Sequence, residues 1–381
     1  MATIREYETA KGKRFEVGYT KPDGGRTRKR GFRTKRDAKV WSAANLIAMS
    51  KPNYRTQSDL SQKLGPFIDE FLARRATLAA TTVANRAAVA GKWITPYWSE
   101  TSLEALTKKS VRAWVESIHA AGAGAQTIQK AHQILGGVLE ECVEQGLLTG
   151  NPARGVKLPT VVTREHGYLS APQVAHLLDE AQERDRMLIA FLAFSGLRFG
   201  EAAALTFADL DFANNVVHVR RSATEVRGEL VLGPPKNGKA RQVPGVPQVM
   251  EPLRRRSAGR EAHDLVFTGP GGGGMLRLST WRRRVFAPAV RRAIASWPTS
   301  NFARGAVVQH FPKLTPHDLR HTAASLGVSA GATVPLVQGM LGHAKPSITL
   351  DVYTGLFPAD FDPLVTKLGD LASGAGIADR L

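Results

Sequence analysis

Several short motifs in the second half of the chain carry cations or nucleophiles that chemistry could use. They are Gly196-Leu197-Arg198-Phe199-Gly200-Glu201, Pro235-Lys236-Asn237-Gly238-Lys239, Thr315-Pro316-His317-Asp318-Leu319-Arg320-His321, Leu341-Gly342-His343 and Thr349-Leu350-Asp351-Val352-Tyr353. Breaking a phosphodiester needs charge neutralised on the non-bridging oxygens, a nucleophile, and a proton for the departing alkoxide. Arginine suits the first task, because its planar fork meets two phosphate oxygens at once. Histidine and lysine can move protons, and an activated tyrosine can attack phosphorus. Taken singly, each motif has an ordinary reading. Arg198 is a capping or ion-pairing arginine beside Glu201, the lysines are a solvated hairpin tip, and His317 and Arg320 share a helical face. Leu341-Gly342-His343 reads as a helix end and Tyr353 as a packing aromatic.

Competing chemistries find little support. No carboxylate cluster of the kind that holds catalytic metal ions stands out; Asp209 and Asp211 read as an acidic turn ahead of Val216-Val217. No glutamate lies between His317 and His321, as it would in a zinc protease, and Gly271 to Gly274 lacks the Gly-Lys-Ser/Thr of a phosphate-binding loop. Cys142 is the only cysteine, which excludes an internal disulfide or a multi-cysteine zinc site. It shares an apolar helical stripe with Ile134, Leu135, Val138, Leu139 and Val143, so a packing thiol is expected. The expectation is chemistry with no metal and no other cofactor.

The elements around these motifs suggest several domains. The chain has 381 residues, 43% of them apolar, enough for two or three cores. Its net charge of +19 implies a polyanionic partner, of which nucleic acid is the commonest. Residues 1–55 hold 15 Lys/Arg and 5 Asp/Glu. They read as three strands, Arg5 to Thr9, Arg14 to Tyr19 and Arg26 to Arg33, with turns at Lys11-Gly12-Lys13 and Pro22-Asp23-Gly24-Gly25. A helix capped by Thr34 follows, from about Lys35 to Met49, with Ala38, Trp41 and Leu46 toward the sheet. Residues 51–58 read as a linker and 60–150 as a four-helix unit. Its helices carry the stripe Leu64, Phe67, Ile68, Phe71, Leu72, then run from Thr81 to Trp93, from the Thr107 cap, and from Gln126 to Gln145. A second linker, 153–164, leads to a unit over 165–381. There Ser170 caps a helix, Met187 to Phe194 is a buried helix, and Val216 to Arg221, Leu230 to Leu232 and Arg241 to Val243 are short strands. The fold expected is multidomain and mainly α with small β-sheets. The run Met187 to Phe194 is too short to cross a membrane, and the N-terminus lacks the apolar core of a signal peptide. A cytoplasmic, DNA-associated protein is expected, with no membrane partner.

The order and spacing of the motifs, Gly-Leu-Arg-x-x-Glu, lysine, His-x-x-Arg-His, Leu-Gly-His and Tyr, resemble the tyrosine recombinase or phage integrase family. The resemblance runs from Arg198 to Tyr353, with the wording LRHTAASLGVSAGA and VQGMLGHAKPSITLDVYTG. It implies an α+β catalytic domain over 165–381, a helical core-site DNA-binding domain over 60–150 and a basic arm-site DNA-binding domain over 1–55. Arg198 and Arg320 would clamp the scissile phosphate, and Tyr353 would attack it to give a 3′-phosphotyrosyl link. Lys236, preferred over Lys239, would protonate the leaving oxygen. His317 would help activate the tyrosine or hold the phosphate, His343 would donate to the same phosphate, and Glu201 would support Arg198. Arg26, Arg28, Lys29, Arg30 and Arg33 would bind the arm sites.

The implied partners are double-stranded DNA at core and arm sites, further copies of the chain in a homo-tetramer, a host DNA-bending factor and an excisionase. The setting would be the nucleoid of a bacterial host. Tyr7, Tyr19, Tyr54 and Tyr97 lie outside the catalytic unit and Tyr168 precedes Arg198, so Tyr353 is the candidate nucleophile. The segment after it, with Phe357, Phe361, Leu364, Val365, Leu368 and Leu371, reads as an amphipathic helix docked on its own or a neighbouring subunit. Two other readings remain open: a type IB-like topoisomerase, and a DNA-binding regulator that keeps the residues without the activity.

Overall fold

The computed structural model describes residues 2–10, 12–21, 24–50, 57–75, 78–161, 167–269, 274–299 and 310–342. Outside them lie most of the first expected linker, the last three residues of the second, residues 22–23 of the second turn, Gly271 to Gly273, and everything from His343 onward, including Tyr353 and the expected tail helix. The chain divides into two compact units, Met1–Val162 and Thr163–Leu381.

The first unit opens with an antiparallel sheet in the order β1 (Thr3–Thr9), β2 (Gly12–Thr20), β3 (Arg26–Phe32). Helix α1 (Lys35–Met49) covers one face, and the Thr34 hydroxyl accepts from the Asp37 amide at 3.0 Å to cap it. Ala38 and Val17 are fully buried between them. Trp41 stands edge-on to Tyr19, 5.4 Å between ring centroids, and tilted against Phe32 at 5.6 Å. Leu46 does not join them: it is 49% exposed. At about 100° per residue it lies roughly 80° from the Ala38 direction, whereas Asn45 falls within about 20° of it.

The helical part of this unit has a core drawn from residues 64 to 156 alone. It contains α2 (Gly65–Arg74), α3 (Ala80–Val89), α4 (Lys108–Ala120) and α5 (Ala125–Glu144). A π-helical turn, Ala90–Ile94, extends α3. Thr107 and Ser110 cap α4 reciprocally, each side chain bonding the other's backbone amide. Val111, Trp114, Val115 and Ile118 form its buried stripe, and the Trp114 indole donates to the Trp93 carbonyl at 2.8 Å. Cys142 is fully buried; burial, then the nearby Glu141 charge, push its thiol up to about 11.

In the second unit α6 (Ala171–Asp179) starts at Ser170, which shares a capping box with Gln173. Helix α7 (Glu183–Ser195) buries Leu188, Ile189, Phe191, Leu192 and Ala193. Each of the larger side chains contributes about 1.5–3 kcal/mol on leaving water. The short α8 (Phe199–Ala203) follows. Strands β4 (Leu210–Asp211), β5 (Val216–Val219) and β8 (Arg241–Pro244) form one antiparallel sheet, and β6 (Ser222–Val226) and β7 (Glu229–Gly233) form another. This corrects the expected hairpin around Lys236. Its flanking strands do not pair; β7 pairs with β6, and β8 with β5. The hairpin turn is Arg227-Gly228, both at positive φ, the backbone a tight two-residue turn needs. The expected strand over Val216 to Arg221 stops at Val219, because Arg220 and Arg221 turn to Asp209 at 3.0 and 2.8 Å. Helices α9 (Pro247–Ser257), α10 (Ala287–Ser296), α11 (Asp318–Ser329) and α12 (Val334–Leu341) are the longer ones that follow among the described residues.

Candidate active site

Helix α7 ends because Gly196 takes φ +67°, a left-handed conformation open to glycine. A Cβ at Gly196 would also sit 3.0 Å from the Leu341 side chain. The turn makes Arg198 the N-cap of α8 and puts Glu201 one turn on. The Glu201 carboxylate accepts from the Arg198 amide at 2.9 Å and from Arg198 Nη1 at 3.0 Å, as the local reading of that motif expects. Glu201 is 1% exposed. Such a charge is tolerated only when paired, and the second partner is Arg241, the first residue of β8. It grips both carboxylate oxygens, at 2.9 and 2.7 Å. Burial works against the Glu201 charge, but the bonds and charge of Arg241, then of Arg198, outweigh it and hold the carboxyl below its usual range.

Arg320 lies in the first turn of α11 and is 2% exposed. It donates to the Gly196 carbonyl at 2.7 Å and to the Leu341 carbonyl, joining the end of α7 to the end of α12. Asp318 fixes the entry to α11 by accepting from the Thr315 amide and hydroxyl at 2.6 and 2.8 Å. Helix α12 ends at Gly342, φ +63°, where a Cβ would lie 2.9 Å from Arg241 Cδ. Asn237 donates to the Gly342 carbonyl, and Arg241 Nε to that of Met340 at 3.1 Å. A cleft of about 330 Å³ opens here, lined by Arg198, Asn237, Lys239, Arg241, Gly339 and Gly342 among others.

The expected residues thus separate into three groups. Arg198, Glu201 and Arg320 share one network at the end of α12. Lys236 is exposed on the Pro235–Gly238 turn, while Lys239 lines the cleft. His317 is exposed just before α11; Arg320, three residues on, is buried. The ring edge-on to His317 is His321, 5.2 Å away. His343 and Tyr353 lie outside the described residues. Sequence reading missed Arg241. Strand alternation was the available signal, since Arg241 has the same parity as buried Val243, and a buried Glu201 needs more than one partner.

Two other clusters lack a catalytic arrangement. Asp209 is buried under Arg220 and Arg221 and accepts from the Thr206 amide and hydroxyl. Ser296 lies 3.0 Å from His176 Nε2, but it donates to Glu180, so that carboxylate backs the serine rather than the histidine. Among the described residues no group of three His, Cys, Asp or Glu is placed to hold a metal ion, and no helix is long and apolar enough to cross a membrane.

The first unit carries exposed polar faces instead. Opposite α1, the sheet presents Arg5, Arg26 and Arg28 around a cleft of about 600 Å³ with Glu16. Glu16 pairs with Arg30 at 2.8 Å and Arg28 at 3.8 Å, and Arg30 lies over the Tyr7 ring. Lys29 is paired in register with buried Val17, so its parity is that of the helix-covered face; Arg33 is exposed beyond the strand. Arg5 is the face residue that a search for basic runs passes over. On α5, Gln126, Gln129, Lys130 and Gln133 line a further cleft of about 600 Å³.

A model of the phage integrase family matches residues 168–359, half of the chain. The chain is 25% identical over 379 residues to the integrase of Mycobacterium phage D29, covering 96% of each. It is 29% identical over 264 residues to tyrosine recombinase XerC of Mycobacterium tuberculosis, 66% of this chain and 80% of that one. Among solved structures, the integrase of the Tn1549 transposon, in complex with a circular intermediate DNA, aligns with a TM-score of 0.66 at 18% identity. That alignment covers 81% of this chain and 100% of the other. A lambda integrase tetramer bound to a Holliday junction aligns at 0.59 and 17%, covering 90% and 96%. These two alignments show a shared fold.

Proposed function

The chain belongs to the phage integrase family and is a site-specific recombinase of the integrase type; from that premise we propose how its residues divide the reaction. Arg198 and Arg320 bind the non-bridging oxygens of the scissile phosphate. The Tyr353 hydroxyl passes its proton to His317 and attacks phosphorus as the bond to the 5′ oxygen breaks. Lys236 gives that oxygen its proton, with Lys239 the alternative donor. The product is a 3′-phosphotyrosyl link and a free 5′-hydroxyl. The 5′-hydroxyl of a partner strand then attacks the link, and the tyrosine oxygen leaves and regains its proton. One phosphodiester replaces another, so the exchange needs neither ATP nor metal. His317 and His343 assist at the tyrosine and the phosphate, and Glu201 holds Arg198.

The observation that carries this reading is the meeting of Arg198 and the end of α12 at one cleft, with Arg320 buried behind it and bonded to the Gly196 and Leu341 carbonyls. Tyrosine ionises near pH 10 in water, and neighbouring cations lower the cost of its phenolate. Within residues 60–150 the α5 amides have the donor and acceptor pair that meets an adenine edge, which supports core-site binding there. The sheet of residues 1–55, with Arg26, Arg28 and Arg30, binds arm sites. The working assembly is a homo-tetramer on duplex DNA in the nucleoid of a bacterial host, aided by a DNA-bending factor and an excisionase. The test is footprinting with covalent trapping on the DNA that flanks the gene. A protected core site with protein joined to a 3′ phosphate is the result expected; protection without any covalent product overturns the assignment.

A further inference from the structure

We propose that Arg241 is a positioning residue for strand cleavage, one that locks the Arg198 guanidinium and the end of α12 into a single register. The proposal rests on the reading of Arg198 as a phosphate ligand. Arg241 does two things at once. Its Nη1 and Nη2 hold both oxygens of Glu201, at 2.9 and 2.7 Å, and Glu201 in turn holds Arg198 by backbone and side chain. A carboxylate anchored by a fork cannot rotate, so Arg198 inherits a fixed direction into the cleft. Its Nε donates to the Met340 carbonyl at 3.1 Å, a bond that neutralising Glu201 does not require.

That second bond belongs to a set. The last carbonyls of a helix have no partners within it. Here those of Met340, Leu341 and Gly342 are taken in turn by Arg241, Arg320 and Asn237. The end of α12 is therefore held by β8, by α11 and by the connection that carries Lys236 and Lys239. The chain leaves this point toward His343 and Tyr353. The missing Cβ of Gly342 lets the Arg241 stem approach, since a Cβ would lie 2.9 Å from Cδ. Displacing reacting groups by about 1 Å can cost about a hundredfold in rate.

The test compares Arg241→Lys with the double variant Glu201→Gln/Arg241→Gln. Lysine keeps the charge but cannot span two carboxylate oxygens and a carbonyl. The double variant removes the enclosed Glu201 charge and its Arg241 partner together and leaves unpaired only the part-exposed Arg198 charge, which lines the cleft, so it is expected to fold even if Arg241→Ala would not. The probe is a nicked duplex carrying the core site footprinted beside the gene, with protein in excess. The first-order rate of adduct formation then reports bound, folded protein only, and melting temperature and Kd for the same duplex are read alongside. We expect both variants to cleave at least tenfold more slowly, with Kd within about twofold of wild type and the double variant melting within about 4 °C of it. Wild-type rates in either variant would overturn the proposal, since neutralising Glu201 would then be the whole role of Arg241. If the wild-type chain itself forms no adduct, the reading of the reaction fails, an outcome distinct from failure of the Arg241 assignment.

Discussion

The sheet of the first unit and the cleft of the second are both rich in arginine and use it in opposite ways. On the sheet, the side chains of Arg28 and Arg30 are 61% and 56% exposed and share one carboxylate, Glu16. Such pairs contribute about 0.2–1 kcal/mol and are screened by salt. At the cleft, the side chains of Arg198 and Arg241 are 22% and 11% exposed around a Glu201 that is fully enclosed, and Arg320 is buried behind it, 2% exposed. Breaking a buried pair costs about 3–5 kcal/mol. On the reading proposed above, the sheet would work by the number of its cations, which are already in contact with water. On the same reading, the cleft would work by the direction of each guanidinium.

The largest effect expected breaks the cleft's chemistry and leaves the sheet untouched. Tyr353→Phe should bind its site with unchanged Kd and form no covalent adduct; an adduct with that variant would remove Tyr353 from the mechanism. Next come Arg198→Ala and Arg320→Ala. A preorganised donor to the transition state is worth about 3–4 kcal/mol, so single-turnover cleavage should slow by some hundreds-fold, at high and low salt alike. The sheet should answer in the reverse way. Replacing Arg26, Arg28 and Arg30 together by Ala should make the log–log salt dependence of arm-site binding shallower by about 3, near one for each phosphate left without its cation. Cleavage at saturating protein should not change. Equal damage to cleavage and binding by the sheet variant would dissolve the contrast between the two regions.

The same contrast explains what could be read before the structure. Features set by near neighbours follow local rules, exposed or buried. Positive φ at Gly12 and Gly24, the Thr34 and Thr107 caps and the stripes of α2 and α4 depend on neighbours a few residues away, and all of them appear. The pairing of Arg198 with Glu201 is legible for the same reason, being three residues apart on α8. Arg241 is 40 residues from Glu201 and 99 from Met340, and no local pattern announces such pairings. The Lys236 hairpin misled because Asn237-Gly238 is a strong turn signal between two short runs that read as strands. The register that satisfies the sheet instead pairs β5 with β8 and sets β6 and β7 aside as their own hairpin. Leu46 failed by one position in a helical repeat. Burial there is decided by where α1 crosses the sheet, which composition does not encode.

The smallest effect probes the buried carboxylate through pH. Glu201 has its carboxyl held below the ordinary range because the Arg241 and Arg198 interactions outweigh burial. A carboxyl depressed in the folded state gives stability that is fully present above its unfolded pKa, about 4.3, and is lost as pH falls through the folded value. Glu201→Gln should therefore melt well below wild type at pH 7, and the gap should narrow as the pH drops below about 4. Glu16→Gln on the sheet should cost less, about 0.2–1 kcal/mol at pH 7, because its partners Arg28 and Arg30 are more than half exposed. Parallel melting curves for wild type and Glu201→Gln from pH 7 to pH 3 would mean that Glu201 contributes shape but not charge. Arg198 would then need some other anchor, and the distinction between a counted cation and a directed one would rest on Arg320 alone.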